Sequence, residues 1–269
     1  MKKLLALTLA LPLAAFTLEE QPWFGNIWEF QFDGAYAYSH YSKIQGGVPS
    51  RQDAHDQLAT VWFGVSPSSR WSGDIEAEFA QTNYRSWGPR SFAGQLRYSW
   101  WDDILGDVLS VTTGLSLRGV TGKSVADVSS PYHSFFNLEL NGSAGKEWSQ
   151  GPYWYFRTYA FGAVGMANKG SPWARANIYF QVNQRDKHQF SLFGKSYWGF
   201  GNQRHVVIDD FHGYAKIHHQ SIDLGLSYRY LFDIWGSFDF EYAYRVFAKS
   251  YPQSASTFTI SYNLPFSFF

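Results

Sequence analysis

The chain has 269 residues, and its 22 basic side chains balance its 22 acidic ones. That balance argues against the basic footprint of a nucleic-acid binder. Charged residues are 16% of the chain and aromatic residues 20%, against about 25% charged in an ordinary soluble domain. Mean hydropathy is nonetheless negative, so apolar and polar residues must be mixed finely along the sequence. There is no cysteine, which excludes disulfides, thiolate metal sites, a lipid-modified N-terminal cysteine and a cysteine nucleophile.

In chain order, Lys2 and Lys3 precede an apolar run from Leu4 to Leu18. This predicts a secretory signal peptide over residues 1–18, since the run is shorter than the ~20 residues of a spanning helix. The remainder, 19–269, has no composition break and reads as one domain. From Trp28 onward nearly every segment alternates. Phe30, Phe32, Gly34, Tyr36 and Tyr38 oppose Gln31, Asp33 and Ala35; Ile75, Ala77 and Phe79 oppose Asp74, Glu76 and Glu78. Leu115 and Leu117 oppose Ser116 and Arg118, Ile178 and Phe180 oppose Asn177 and Tyr179, and Leu224 and Leu226 oppose Asp223 and Ser227. The last segment carries Phe258, Ile260, Tyr262, Leu264, Phe266 and Phe268 in one phase. Twelve such segments are predicted as β-strands with one apolar and one polar face. Their connections alternate between short turns, such as 67–70 and 185–187, and generally longer loops, such as 42–54, 83–90, 119–132 and 200–214.

An apolar face on every strand fits a soluble sandwich or a membrane barrel. Trp residues crowd the predicted strand ends (Trp23, Trp28, Trp71, Trp100, Trp101, Trp148, Trp154, Trp173, Trp198, Trp235), as an interfacial girdle requires. Asp, Glu and Arg on the polar face belong around a lumen. These features select an all-β, transmembrane, antiparallel up-and-down β-barrel of about 12 strands. It must close, because an open edge in lipid leaves backbone groups unpaired. Together with the terminal Phe269, the pattern resembles the Gram-negative outer-membrane β-barrels. That resemblance implies outer-membrane localisation, insertion by the barrel assembly machinery, which reads an aromatic final strand, and contact with outer-membrane lipid. Phe269 lies one residue out of phase with the stripe, and Pro265 requires a bulge or strand end.

On the polar face, acids group on the first, third and eleventh strands (Asp33; Asp74, Glu76, Glu78; Asp239, Glu241). Bases group on strands four, five and seven to nine (Arg97, Arg118, Arg157, Arg175, Lys195). Glu139, Asp223, Arg229 and Arg245 depart from this division. Two opposed walls resemble the eyelet of general diffusion porins, which implies a channel for small hydrophilic solutes, without a cofactor. The competing reading is a lumen plugged by paired charges, making a structural or surface-interaction barrel. Inward Tyr155, Tyr159, Tyr179 and Tyr197 serve either as stacking faces for a solute or as filler. His219 and Ser221 form a His-x-Ser pair similar to that of outer-membrane phospholipases and lipid A deacylases. The Asn that follows in those families is missing here, and the register turns Ser221 inward, so a lipid hydrolase is the alternative. Asp209, Asp210, His212, His218 and His219, with His205 nearby, gather in a late loop (205–219). Their spacing matches no tight ligand motif, and a solvated loop is expected there rather than a metal site.

Overall fold

The computed structural model describes residues 18–49, 53–150, 153–232 and 235–267. The expected signal peptide falls almost entirely outside them, as do Phe268 and Phe269. Twelve antiparallel strands form a closed barrel. They are β1 (Phe30–Tyr41), β2 (Ala54–Ser68), β3 (Trp71–Thr82), β4 (Arg85–Trp101), β5 (Ser110–Val120) and β6 (Phe136–Gln150). The ring continues with β7 (Trp154–Ala167), β8 (Trp173–Gln184), β9 (His188–Gly199), β10 (Gln220–Leu231), β11 (Ser237–Lys249) and β12 (Ser256–Phe266). Each strand pairs with its sequence neighbours. The ring closes where β12 pairs with β1, from Phe30–Phe266 to His40–Ser256. Pro265 sits one residue from the end of β12, opposite Gln31.

The period of two sets the two surfaces. Leu96, Leu115, Leu140, Val164, Leu192 and Leu224 point outward and are exposed, whereas Asp74, Glu76, Arg97, Arg118, Arg175 and Gln181 point inward and are buried. Such inversion is the surface a membrane barrel turns to lipid. One rim carries the short turns, and the exposed Trp71, Trp100, Trp101, Trp148, Trp154 and Trp235 all lie at this turn end. There Tyr98 makes edge-to-face contacts with Trp71 at 4.9 Å and Trp100 at 4.7 Å. Two Trp residues expected in the girdle are elsewhere. Trp23 and Trp173 are buried inside the barrel.

The opposite rim, the loop end, carries the longer connections, with one correction. The expected loop at 83–90 is a tight hairpin, because Thr82 already pairs with Arg85. Register shifts at Glu78/Phe79 and Ala80/Thr82 let β4 run on past the position expected for its start. The other loops fold together. Gly47–Val48 pairs in parallel with Val206–Val207, and Lys43–Ile44 pairs with Pro252–Gln253. Tyr41, Ile44, Val128, Val206, Phe211, Tyr214, Ile217 and Tyr251 pack into an apolar cluster, which caps this end.

Leu115→Arg should impair barrel assembly, since Arg near the midplane of the outer face costs about 2–4 kcal/mol. Ser116→Ala, one residue on and inward-facing, should leave assembly unchanged. The heat-dependent shift of the folded band on gels reads both. Equal behaviour of the two variants would refute the facing of β5.

Candidate functional site

The lumen is built from the inward positions of all twelve strands and from the segment that precedes β1. Leu18 packs inside against Trp62 and Ala93. Main-chain carbonyls of this segment accept hydrogen bonds from the wall: Glu19 from Gln95 at 2.8 Å, Glu20 from Ser143 at 2.6 Å and Gln21 from Arg97 at 2.6 Å. The Glu20 carboxylate accepts from Arg175 Nη1 at 3.0 Å, Asn177 Nδ2 at 2.8 Å and the Tyr179 hydroxyl at 2.7 Å. Trp23 meets Tyr159 edge-on at 5.8 Å and donates to Asp103 at 2.8 Å. The Arg157 guanidinium lies 4.8 Å over its ring. Residues 18–24 thus occupy the lumen, a placement that the alternating pattern did not foretell. The adjacent Glu19 and Glu20, directly after an apolar run, were the signal available.

Among the described residues, two chambers stand out. One, toward the turn end, has a volume of about 430 Å³ and is lined among others by Asp33, Tyr155, Arg157, Arg229 and Asp239. The other, of about 110 Å³, lies beneath the cap beside Asp56, Arg90, Asp223 and Arg245. Glu20, Lys195 and Glu241 line both chambers, so these three side chains stand at the neck between them.

Every base expected in the lumen faces inward, but the two sets of charges do not confront one another across open space. Arg118 Nη2 lies 2.6 Å from Glu76 and its Nη1 3.3 Å from Glu78. Arg97 is 4.0 Å from Asp74. Arg175 holds Glu139 through two bonds, at 3.0 and 2.6 Å, as well as Glu20. Lys195 pairs with Glu241 at 3.0 Å, and Arg157 with Glu147 at 2.6 Å. Residues that seemed exceptions to the two-wall division are partners. Arg229 bonds Asp239 at 3.0 Å, and Arg245 grips Asp223 at 2.6 and 2.8 Å. The cause is register. Arg229 and Asp239, Arg245 and Asp223, and Arg157 and Glu147 are directly opposed on neighbouring strands. An isolated charge away from water is costly, whereas a hydrogen-bonded pair recovers most of that cost. The expected pair of opposed walls is therefore replaced by lateral pairing.

The four tyrosines divide. Tyr159 and Tyr179 stack at 4.5 Å, so they cover each other's faces. Tyr155 accepts from Asn183 at 2.5 Å and borders the larger chamber. Tyr197 belongs to the cap, where its hydroxyl meets the Pro131 carbonyl and His133 Nδ1, each at 2.9 Å.

His219 and Ser221 are both buried. The imidazole of His219 is turned to His133, Nε2 to Nε2 at 3.2 Å, and neither residue reaches the lipid-facing surface. His133 in turn stacks on Trp173 at 4.2 Å. Two glycines make the room: a side chain at Gly199 would run into the His219 ring, and one at Gly165 into Trp173. Burial holds the His133 pKa down to about 3 and that of His219 well below the ordinary value. Both rings are thus neutral in the closed cap. The solvated loop expected at 205–219 holds only for its polar candidates: His205, Asp209, Asp210 and His212 are exposed and His218 is half-buried, whereas Val206, Phe211, Tyr214 and Ile217 between them are buried in the cap.

No family model matches the sequence, and no curated protein resembles it closely enough to match. Solved structures do match in fold. An outer membrane channel from Pseudomonas putida F1 superposes with a TM-score of 0.68 at 8% identity, over 94% of this chain and all of that one. The NanC porin superposes with a TM-score of 0.53 at 11% identity, over 87% of this chain and 98% of the other.

Arg118→Ala should destabilise the barrel by about 3–5 kcal/mol, because it strands two buried carboxylates; urea unfolding in lipid measures this, and a change within error would mean that Glu76 and Glu78 are satisfied without it. A second expectation concerns the cap. Its histidines take up protons at ordinary values when it opens, but His133 only near pH 3 and His219 only well below its ordinary value when it is closed. Closed-cap stability is therefore complete above about pH 6.5 and falls as pH drops from there, by about 1.4 kcal/mol per pH unit for each ring. Hydrogen exchange at residues 200–219, corrected for intrinsic rate, should show lower protection at pH 4.5 than at pH 7.5. Equal protection would contradict the coupling. In architecture, the closed twelve-strand ring with its polar lumen and apolar exterior is the fold of the outer-membrane β-barrel channels.

Proposed function

We propose that this protein is a channel of the Gram-negative outer membrane for small hydrophilic solutes, narrowed at rest by its own N-terminal segment. The observation that carries the reading is the neck at Glu20, Lys195 and Glu241, where two chambers bordered by charged side chains meet inside the barrel. A filled structural core would leave no chamber on either side of it. The fold shared with a known channel and a known porin supports the same reading. In this proposal the signal peptide expected over residues 1–18 is removed ahead of Leu18, whose side chain packs inside the barrel, and the barrel assembly machinery inserts the chain into outer-membrane lipid. The long loops then face the cell exterior. The acids and bases of the lumen act as paired wall charges, which a polar solute exchanges for its own contacts as it passes. Paired walls imply weak ion selectivity. Tyr155, beside the larger chamber, offers an aromatic surface to the solute.

The lipid hydrolase alternative loses support from the burial of His219 and Ser221. The closed structural barrel keeps the support of the paired lumen charges, of residues 18–24 inside the lumen and of the apolar cap over the loop end.

Conductance in a planar bilayer distinguishes the two. Glu20→Ala releases the segment from Arg175, Asn177 and Tyr179 and should raise single-channel conductance or open time at least several-fold over the native protein. A variant as silent as the native protein would establish the closed barrel instead. A native channel with large ohmic steps that Glu20→Ala does not alter would mean that the segment is no obstruction.

A further inference from the structure

We propose that His40, Asp53 and His55 form a surface site for a divalent transition-metal ion of the Zn²⁺ or Cu²⁺ class, at the loop end of the β1–β2 pair. His40 near the end of β1 and His55 near the start of β2 are direct cross-strand partners, so the ladder puts their rings side by side on the outer surface, with centroids 4.7 Å apart. Asp53, just ahead of β2, brings Oδ1 to 2.7 Å from His40 Nε2. One ligand atom from each of the three residues lies within 4.8 Å of the others. Around a tetrahedral zinc with bonds of about 2.0–2.1 Å, ligand atoms stand roughly 3.3 Å apart. Small rotations of exposed side chains close that difference without moving backbone.

A surface His–Asp contact alone is ordinary, and exposed acids commonly bind nothing. Two features set this group apart. The first is the shell behind it. The Tyr38 hydroxyl sits 2.5 Å from His55 Nδ1, the type of outer partner that fixes the tautomer and orientation of a ligating ring. Asn83, in the β3–β4 hairpin, donates to the Asp53 carbonyl at 2.6 Å and accepts from the His55 main-chain N–H at 3.3 Å. One side chain from a second strand pair therefore holds the backbone at two of the three ligands. The second feature is the donor set. Two imidazoles and one carboxylate suit Zn²⁺ or Cu²⁺, whereas Ca²⁺ and Mg²⁺ prefer oxygen. Exposure leaves the remaining coordination positions to water, so an ion here exchanges with the surrounding solution.

The site lies outside the lumen and owes nothing to the conduction pathway. Its test uses the full chain in detergent, without a polyhistidine tag, titrated with ZnCl₂ by calorimetry at neutral pH. One saturable equivalent is expected. His40→Ala and His55→Ala should each weaken it by at least roughly tenfold, since even the loss of an outer partner of a ligand costs 10–100-fold. Tyr38→Phe should weaken it less, and His212→Ala should have no effect. With CuSO₄, electron paramagnetic resonance should show nitrogen couplings from two imidazoles in the native protein and from one in His40→Ala. The substituted side chains are on the surface, and the heat-dependent gel shift confirms that each variant is folded. No saturable heat, or a titration unchanged in the His40→Ala, His55→Ala double variant, would overturn the assignment.

Discussion

The ladder between β1 and β12, from Phe30–Phe266 to His40–Ser256, removes the two free edges that a twelve-strand sheet would otherwise expose. In lipid there is no water to satisfy those edges, and each unpaired N–H or C=O costs several kcal/mol. Once the ring is closed, the pleat leaves only two surfaces. Leucine, valine and aromatic side chains take most of the outside, and most polar strand residues are driven inward, including guanidinium and carboxylate groups that no soluble core would hold in such numbers.

Confined there, the charges must find one another. The nearest candidates are on the adjoining strand, directly across the ladder, and Arg229–Asp239, Arg245–Asp223 and Arg157–Glu147 are made in this way. Other pairs reach one strand further, Arg118 to Glu76 and Lys195 to Glu241, and Arg175 is the informative case among them. One of its nitrogens is left over after Glu139 has taken two bonds, and Glu20 of the N-terminal segment satisfies it. The segment is therefore held by the same requirement that organises the wall. A gap in the wall's own pairing became an anchor, and the neck of the lumen lies at that anchor.

Much of this was legible in the sequence. A period of two is hard to imitate, so the strands, their facing and their number followed from residues such as Leu115 and Ser116 alone. The map of charges was not legible to the same depth. Assigning Asp239 to an acidic arc and Arg97 to a basic one uses facing but not register, and register decides which charges touch. The inward Trp23 and Trp173 were counted among interfacial residues because one lies ahead of the first strand and the other opens the eighth, outside the stretches whose alternation was read. The hairpin at Thr82–Arg85 was obscured by bulges that broke the alternation near Phe79. His40 and His55 showed nothing as sequence; only cross-strand pairing makes neighbours of them, while the late histidine-rich loop drew the eye by proximity along the chain.

The path of the chain ahead of β1 bears on how this protein is to be handled. Leu18 and Glu20 lie within the ring rather than on its rim. Anything fused directly ahead of them, an affinity peptide or a fluorophore, starts from inside the barrel and has to leave through the larger chamber or displace the segment. Labels of that kind would alter the very opening they were meant to report on. The exposed positions around Asp210, on the outer surface of the loop end, leave the interior as the chain has arranged it.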